Sequence, residues 1–481
     1  MPSLPRVPAW LLALTALRLI VAASVPLAPD EAYYRLWSLA LAPGYLDHPP
    51  MVALWIRAGI ALAGDTPLGV RLLAPFAALL GSLLLSDAVE RRAPGRGEIA
   101  AMLLNATLLF GAGAIVMTPD TPLLLFWTAA LWALARLEQS GPEPRGPDQR
   151  PDQRPDQRPD QRPDQRWDRR WWFAAGLATG LALLSKYTAF LIFPAAFAWL
   201  LAVRPRELRA WQPWAGLVLG LVVFAPDLAW NAAHGWASFA KQGGRLFDFR
   251  PLRALQFIAE LAFGQIGLAT PLLAVLLVQG EVRAWRARAA LPLAFSLVPA
   301  AVFVVHALGD RVQGNWPAVV YPAAALAAAL FPIPRRRLGQ ALGLGMGITL
   351  LVYLQAATAL LPLPVRLDPT ARQLRGWAAM ARSLPAADFL AADNYGVAAE
   401  LALFRHNVFG AAPRWAFFDL PRALPRGSGL LLSRGTPDPQ FWGRVEKLGE
   451  VARRSRGVVL ARYGLYRVTP KQRLTLLTAR P

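Results

Sequence analysis

Apolar residues arrive in long blocks separated by short polar breaks. The blocks fall roughly at 9–28, 67–90, 98–117, 120–138, 171–185, 187–203, 213–231, 255–280, 290–308, 317–333 and 339–363. A helix needs about 20 apolar residues to cross about 30 Å of hydrocarbon, and most of the blocks approach that length. The block at 171–185 is short and reads as a tilted or broken span. Basic residues crowd every second connection: Arg91, Arg92 and Arg96; the stretch from Arg136 through Arg170; Arg204, Arg206 and Arg209; Arg283, Arg286 and Arg288; and Arg335, Arg336 and Arg337. The break at 118–120 has no basic residue, and the one after 308 has only Arg311. Cytoplasmic loops hold the excess of Lys and Arg. The alternation therefore predicts about eleven spans with the N-terminus inside and the C-terminus outside. It puts Asp30, Asp47, Asp120, Lys186, the 232–254 loop, Asp310 and the whole tail after Pro364 on one external face.

The pattern changes after residue 363. Short apolar runs interleave with polar residues at 388–395, 429–433, 457–461 and 463–468, and helix-like stretches fall at 370–383, 396–404 and 438–448. This predicts a membrane body over 1–363 and a small external α/β domain over 364–481. Within the body, 146–166 repeats Pro-Asp-Gln-Arg five times. That segment is polar, rich in proline and nearly charge-neutral. It cannot build a core and reads as a disordered cytoplasmic linker.

Composition agrees with the pattern. Hydrophobic residues make up 55% and charged residues 17%, and the mean hydropathy is +0.34, which excludes an ordinary soluble globule. Of the 18 tryptophans, Trp10, Trp171, Trp172 and Trp316 stand at block ends, as an interfacial belt requires. The net charge is +21, and the basic residues of the membrane body sit in short loops between apolar blocks, which reads as a topology signal rather than a nucleic-acid footprint. Cysteine is absent, so no disulfide staples any external part. The first block carries no convincing small-residue cleavage site and is expected to be an uncleaved span.

Candidate chemistry clusters at the external breaks. Pro29-Asp30-Glu31-Ala32-Tyr33-Tyr34 follows the first block, where a charged group is costly unless it is used. Asp30 and Glu31 are catalytic candidates. They also suit the start of an interfacial helix over 31–42. Asp47-His48-Pro49-Pro50 sets a rigid turn before a helix at 51–63, with Asp47 a substrate contact and His48 aiming a nitrogen at a phosphate. Asp120, in Thr-Pro-Asp-Thr-Pro, caps the next span or supplies a further acid. Lys186 is flanked so closely by apolar sequence that it must snorkel or pair with an anion such as a lipid phosphate. Gly243 and Gly244 beside Lys241 and Arg245 permit close approach of backbone to an anion. Arg311 is a further phosphate candidate. Asn315 and Trp316 serve as interfacial anchor or substrate contact, and Tyr34, Tyr45 and Tyr395 complete the substrate-binding set.

The chain has no phosphate-binding glycine loop, nucleophile elbow, His-rich metal motif or dinucleotide fingerprint. A nucleotide is therefore not the expected energy source. The expected donor is an activated substrate already in the membrane, a polyprenyl-phosphate sugar. No cofactor and no metal ligand are assigned. A divalent cation is compatible but not required, because cationic side chains can neutralise a monophosphate.

Asp30-Glu31-Ala32-Tyr33-Tyr34 with Gly44-Tyr45-Leu46-Asp47-His48-Pro49-Pro50-Met51 resembles the first external loop of bacterial members of glycosyltransferase family 39, related to protein O-mannosyltransferases and the aminoarabinose transferase of lipid A. Thr118–Trp127, Leu184–Tyr187, Asn315-Trp316-Pro317 and Ala392–Leu401 are similar to later family segments and follow in the same order. The resemblance covers the membrane body and the start of the tail. It implies a C-type glycosyltransferase fold, Asp30 as the acid that activates the acceptor, and inversion at the sugar carbon. In the aminoarabinose transferase a lysine precedes the paired prolines. Here His48 stands there, which sets this chain apart from aminoarabinose transfer to lipid A specifically. The expected protein is an α-helical polytopic enzyme of the bacterial inner membrane, with its site facing the periplasm. It takes a polyprenyl-phosphate sugar and an envelope lipid, glycan or protein as acceptor, and it binds membrane lipids but no nucleic acid. A transporter or lipid-linked sugar flippase would use the same polar residues as a path, and an inactive scaffold or sensor would tolerate loss of Asp30.

Overall fold

The computed structural model describes residues 7–139, 168–243 and 250–478. The Pro-Asp-Gln-Arg repeat and Arg245 lie outside the described residues. The chain opens with α1 (Ala9–Ser24) and α2 (Pro29–Leu39), which meet at 88°. Pro29 occupies the first position of α2, where its missing N–H costs nothing. Glu31 closes the helix start by accepting from the Ala28 N–H at 3.0 Å. α3 (Met51–Ala63), α4 (Pro67–Arg71) and α5 (Leu73–Glu90) follow, then α6 (Gly97–Asn105), α7 (Leu108–Gly113) and α8 (Asp120–Gln139). Next come α9 (Trp171–Leu183), α10 (Ile192–Val203), α11 (Gln212–Ala233) and α12 (Ala237–Gly243). The body ends with α13 (Pro251–Ala269), α14 (Pro271–Arg286), α15 (Ala290–Ala307), α16 (Val320–Ala329) and α17 (Arg335–Thr358).

Four of the described helical stretches are long and apolar enough to cross a membrane: Pro67–Glu90, Gln212–Ala233, Ala290–Ala307 and Arg335–Thr358. They become six if the two sharply bent pairs each count as one span. The expected count of about eleven also drew on blocks that fold as shorter or broken helices. The block at 98–117 divides into α6 and α7, where Thr107 leaves helical geometry and caps α7 by accepting from the Phe110 N–H at 3.3 Å. The block at 255–280 is not one straight helix, because α13 and α14 meet at 104°. Thr270 adopts φ +73° and Pro271 follows it. Proline offers no N–H to continue the helix and drives the preceding residue out of helical geometry.

α9 and α11 touch through bare backbone. A Cβ built on Gly176 would lie 2.1 Å from the Gly216 carbonyl oxygen, and one on Gly216 would lie 2.5 Å from that of Trp172. Gly180 and Gly220 continue the same seam one turn on, the small-residue spacing by which membrane helices approach closely.

The tail carries α18 (Pro369–Leu374), α19 (Trp377–Ser383) and α20 (Tyr395–Phe404), together with seven strands: β1 (Leu390–Ala392), β2 (Val408–Gly410), β3 (Arg422–Ala423), β4 (Gly429–Ser433), β5 (Trp442–Ser455), β6 (Val458–Pro470) and β7 (Leu474–Leu476). They form one sheet in the order β3-β7-β2-β1-β4-β6-β5, parallel only around β1. The helix expected at 438–448 is instead the beginning of β5. Its partner β6 merges the two short runs expected at 457–461 and 463–468 into a single strand. Arg456 and Gly457 both take positive φ, +47° and +79°, which is the tight turn that matches strand twist in a two-residue hairpin. Strand pairing overrode the weak helical pattern of 438–448.

The tail has a core of its own around Phe389, Phe409, Leu431 and Trp442, and it shares a second one with the body. One apolar core joins Tyr33, Trp37, Tyr45 and Ile56 of the first elbow to Trp377, Val397, Trp415 and Leu430 of the tail. This shared core brings α20 onto α2.

Candidate active site

Three carboxylates stand at three chain breaks, and each has its own partners. Asp30 opens α2, and its Oδ1 accepts a 2.9 Å hydrogen bond from the Tyr395 hydroxyl at the start of α20. Asp30 is exposed at its edge, yet surrounding protein strips enough water from the carboxyl to raise its pKa above the usual 3.8. The Tyr395 bond opposes that rise, while Asp47 and Glu31 add to it through like charge.

Asp47 lies in the turn between α2 and α3. Tyr33 donates to its Oδ2 at 2.8 Å, Arg414 reaches the same oxygen at 3.4 Å, and Lys241 of α12 pairs with Oδ1. Burial pulls this carboxyl upward, but Arg414 and Lys241 outweigh it and hold its pKa below the usual value. The Arg414 guanidinium lies 4.0 Å from the Tyr395 ring centre and 5.5 Å from that of Tyr33. The two rings are 4.6 Å apart. Asp30 and Asp47 are thus bridged by two tyrosines under one arginine.

Asp120 begins α8. Its Oδ1 takes a 2.7 Å hydrogen bond from Lys186 Nζ and its Oδ2 one of 2.6 Å from Asn315 Nδ2. Lys186 is buried, so the carboxylate offsets the desolvation of its charge. An ammonium has three donors, and the Asp120 bond uses one. The Met51 N–H donates to the Leu184 carbonyl at 3.0 Å, which draws the Asp-His-Pro-Pro turn against the Ser185-Lys186 break. His48 therefore sits in the field of Lys186, Asp47 and Asp120. Desolvation first, then Lys186, hold its pKa down to about 4, so the ring is neutral at pH 7. Its Nδ1 is buried with no partner in the protein. Tyr34 is buried with its ring 6.2 Å from that of His48.

Several expected residues take other places. Glu31 is buried and its oxygens are filled from inside: Arg71 binds both, and the Met117 and Ala28 N–H groups donate to one each. It anchors the elbow and has no acceptor left for a reacting group. Tyr45 is fully buried and stacked on Trp37 at 4.3 Å. Its hydroxyl serves the main chain of Trp37, Ala40 and Ala42, so it shapes the turn from within. Arg311 is largely exposed and pairs with Glu260, and among the described residues it makes no bond to Asp30, Asp47 or Asp120. Trp316 packs edge-on against His306 at 5.3 Å.

The structure also adds residues. Tyr33, Lys241 and Arg414 hold Asp47. A triad of buried Asp227 and Asn231 with half-buried Tyr187 stands behind the turn: Tyr187 donates to Asp227 at 3.1 Å, and Asn231 donates to both at 3.1 Å. Gly44 faces Asp227 and Trp230 so closely that a Cβ there would lie 2.8 Å from Asp227 Oδ1. Lys241 carried a sequence signal, a cation beside two glycines. Arg414 carried none, since its partner lies hundreds of residues upstream. Chemically, the constellation offers a carboxyl of raised basicity, a neutral imidazole, the buried Lys186, the half-buried Arg414 and the exposed Lys241.

Residues 47–144 and 164–230 match the profile of the dolichyl-phosphate-mannose-protein mannosyltransferase family. The chain is 27% identical over 210 residues to the lipid A galacturonosyltransferase RgtD of Rhizobium johnstonii, a stretch that is 43% of this chain and 38% of that protein. It therefore spans well under half the length of that relative. The fold superposes on the structure of ArnT from Cupriavidus metallidurans in the apo state with a TM-score of 0.60 at 16% identity, covering 95% of this chain and 97% of that one. It matches the same protein bound to undecaprenyl phosphate with a TM-score of 0.61, covering 95% and 98%. At such identity the likeness speaks for the fold. Sequence and architecture agree with the resemblance drawn from the loops: over the matched residues the chain is similar to the dolichyl-phosphate-mannose-protein mannosyltransferase family and to a lipid A galacturonosyltransferase, and its fold is that of ArnT.

Proposed function

We propose that the chain is an integral membrane glycosyltransferase of the bacterial inner membrane. It moves a sugar from a polyprenyl-phosphate donor to an envelope lipid, glycan or protein on the periplasmic face. Asp30 accepts the proton of the acceptor nucleophile as that atom bonds to the sugar carbon. The bond from that carbon to the phosphate oxygen breaks with inversion, and the polyprenyl phosphate leaves. Lys186, positioned by Asp120 and Asn315, meets the phosphate and stabilises charge on the leaving oxygen. His48, with its free nitrogen, stands beside it. Tyr395 orients the Asp30 carboxyl, and Asp47, held by Arg414, Lys241 and Tyr33, forms the rim that meets the substrate.

The observation that carries this reading is the Asp30 carboxyl itself. A general base works best when its pKa approaches the working pH, and this group has been moved in that direction while Asp47 beside it has been moved the other way. Two neighbouring carboxyls pushed apart in basicity are the pattern of divided catalytic roles. The test compares envelope glycans and glycolipids of the native host by mass spectrometry with and without the protein, complemented by wild type and by Asp30→Asn. One defined sugar should disappear and return only with wild type, since removing a general base costs about 10²–10⁴-fold in rate. Unchanged glycans, or restoration by the Asp30→Asn protein at normal abundance, would overturn the assignment.

A further inference from the structure

A large cavity in the described structure lies away from Asp30. It has a volume of about 840 Å³ and lies between the α1–α2 elbow, the start of α4 and the tail. Arg35 and Leu39 line it from α2. At about 100° per residue they point away from Asp30, Tyr33 and Tyr34, so one short helix separates two recesses. The volume lies within the range of small-molecule sites, about 300–1,000 Å³.

Two residues of its wall each carry a buried polar atom with no partner in the protein: Glu400 Oε1 and Arg375 Nε. Glu400 is only 2% exposed. A buried polar atom left unpaired costs free energy unless something fills the space in front of it. The other charges sort into spent and unspent. Arg35 is committed to Asp65, and Arg405 to the carbonyls of Ala381, Leu384 and Pro385. Arg375 Nη2 is committed to the Ala356 carbonyl at 2.5 Å. The exposed Arg382 and His406 also line the opening. The wall therefore offers cationic donors at the mouth and an unpaired carboxyl oxygen inside. That combination suits a ligand carrying both an anionic group and hydroxyls. The elbow residues Ala23–Leu27 at the end of the apolar α1 form one wall, so a headgroup could occupy the cavity while its chains remained in the bilayer.

We propose that this cavity binds an anionic saccharide, phosphate- or carboxylate-bearing, at a site separate from the Asp30 face. The anionic group meets the guanidinium groups of Arg382 and Arg375, and a sugar hydroxyl pairs with the Glu400 carboxyl. The proposal does not depend on the chemistry assigned to Asp30.

The test uses the full chain in nanodiscs. Glucose 1-phosphate and glucuronate serve as soluble probes in calorimetry, and lipid A incorporated in the disc serves as the membrane-borne probe, read by its shift of the thermal midpoint. Ala379→Trp fills the cavity from an exposed position, and Arg382→Glu reverses charge at its mouth. Each should weaken binding at least tenfold with an unchanged midpoint in the absence of probe, whereas Asp30→Asn should bind as wild type does. Should Ala379→Trp fail to fold, Arg382→Glu and Glu400→Gln carry the comparison. Saturable binding of a soluble probe that is sensitive to these variants identifies a free ligand. A variant-sensitive shift with lipid A alone identifies a lipid headgroup. No binding of any probe, or binding indifferent to the variants, overturns the proposal.

Discussion

Asp30 and Asp47 face each other across one turn, and their surroundings make them different acids. The pH dependence of transfer follows from the sign of the Asp30 shift. A base acts when deprotonated, so activity should rise with pH through the pKa of Asp30, which lies above 3.8 because burial disfavours the charge. The acid limb of a rate profile should therefore sit above the ordinary aspartate range, and a rate independent of pH from about 4 upward would contradict the assignment. Glu31 is adjacent in sequence and different in kind. Glu31→Gln leaves Arg71 buried with no charge partner, which costs about 3–5 kcal/mol. It should lower the thermal midpoint sharply, whereas Asp30→Asn should leave the midpoint near wild type and remove turnover. Measured side by side, the two variants separate anchor from base. The sequence marked the acidic pair but not this division, because the division depends on Arg71 and Met117 arriving from other helices.

Elements obey local chemistry where local chemistry is strong. The interfacial helix expected at 31–42 forms as Pro29–Leu39, and that expected at 51–63 forms as Met51–Ala63; each begins at a proline-rich break that sets its first turn. Expectations were coarser where a block was mainly apolar. The block at 255–280 was read as one stretch, and its bend rests on the single Thr270-Pro271 step. The α9–α11 seam is a further case, since glycine spacing is visible in the sequence while the partner helix is not. Gly176→Val should force these helices apart at a point where the opposing carbonyl leaves no room for a Cβ. An overpacked contact of this kind typically costs about 1–3 kcal/mol, to be read as a lower midpoint in detergent. A midpoint equal to wild type would mean that the seam opens freely.

At the scale of the molecule, the tail completes the site rather than decorating it. Tyr395 and Arg414 come from beyond residue 363, and they reach Asp30 and Asp47 only because the tail shares a core with the first elbow. Tyr395→Phe keeps that packing and removes one hydrogen bond to a charged group, a bond worth about 1.5–3 kcal/mol. Transfer should fall by about one to two orders of magnitude with the fold intact. Retained turnover would make Tyr395 a packing residue alone.

The sequence alone determined that the chain is a helical membrane protein, that its polar chemistry collects at the breaks between apolar blocks, and that the loops around Asp30, Asp47, Asp120 and Lys186 belong together. Hydrophobic length, basic loops and proline-rich turns are local properties, and a single chain displays them. Tertiary structure decided which carboxyl is an anchor and which remains open, where an apolar block bends, and that Arg414 lies over Tyr395. Basicity, burial and hydrogen-bond satisfaction belong to neighbours that are distant in sequence, and only the folded chain brings those neighbours within the few ångströms over which such forces act.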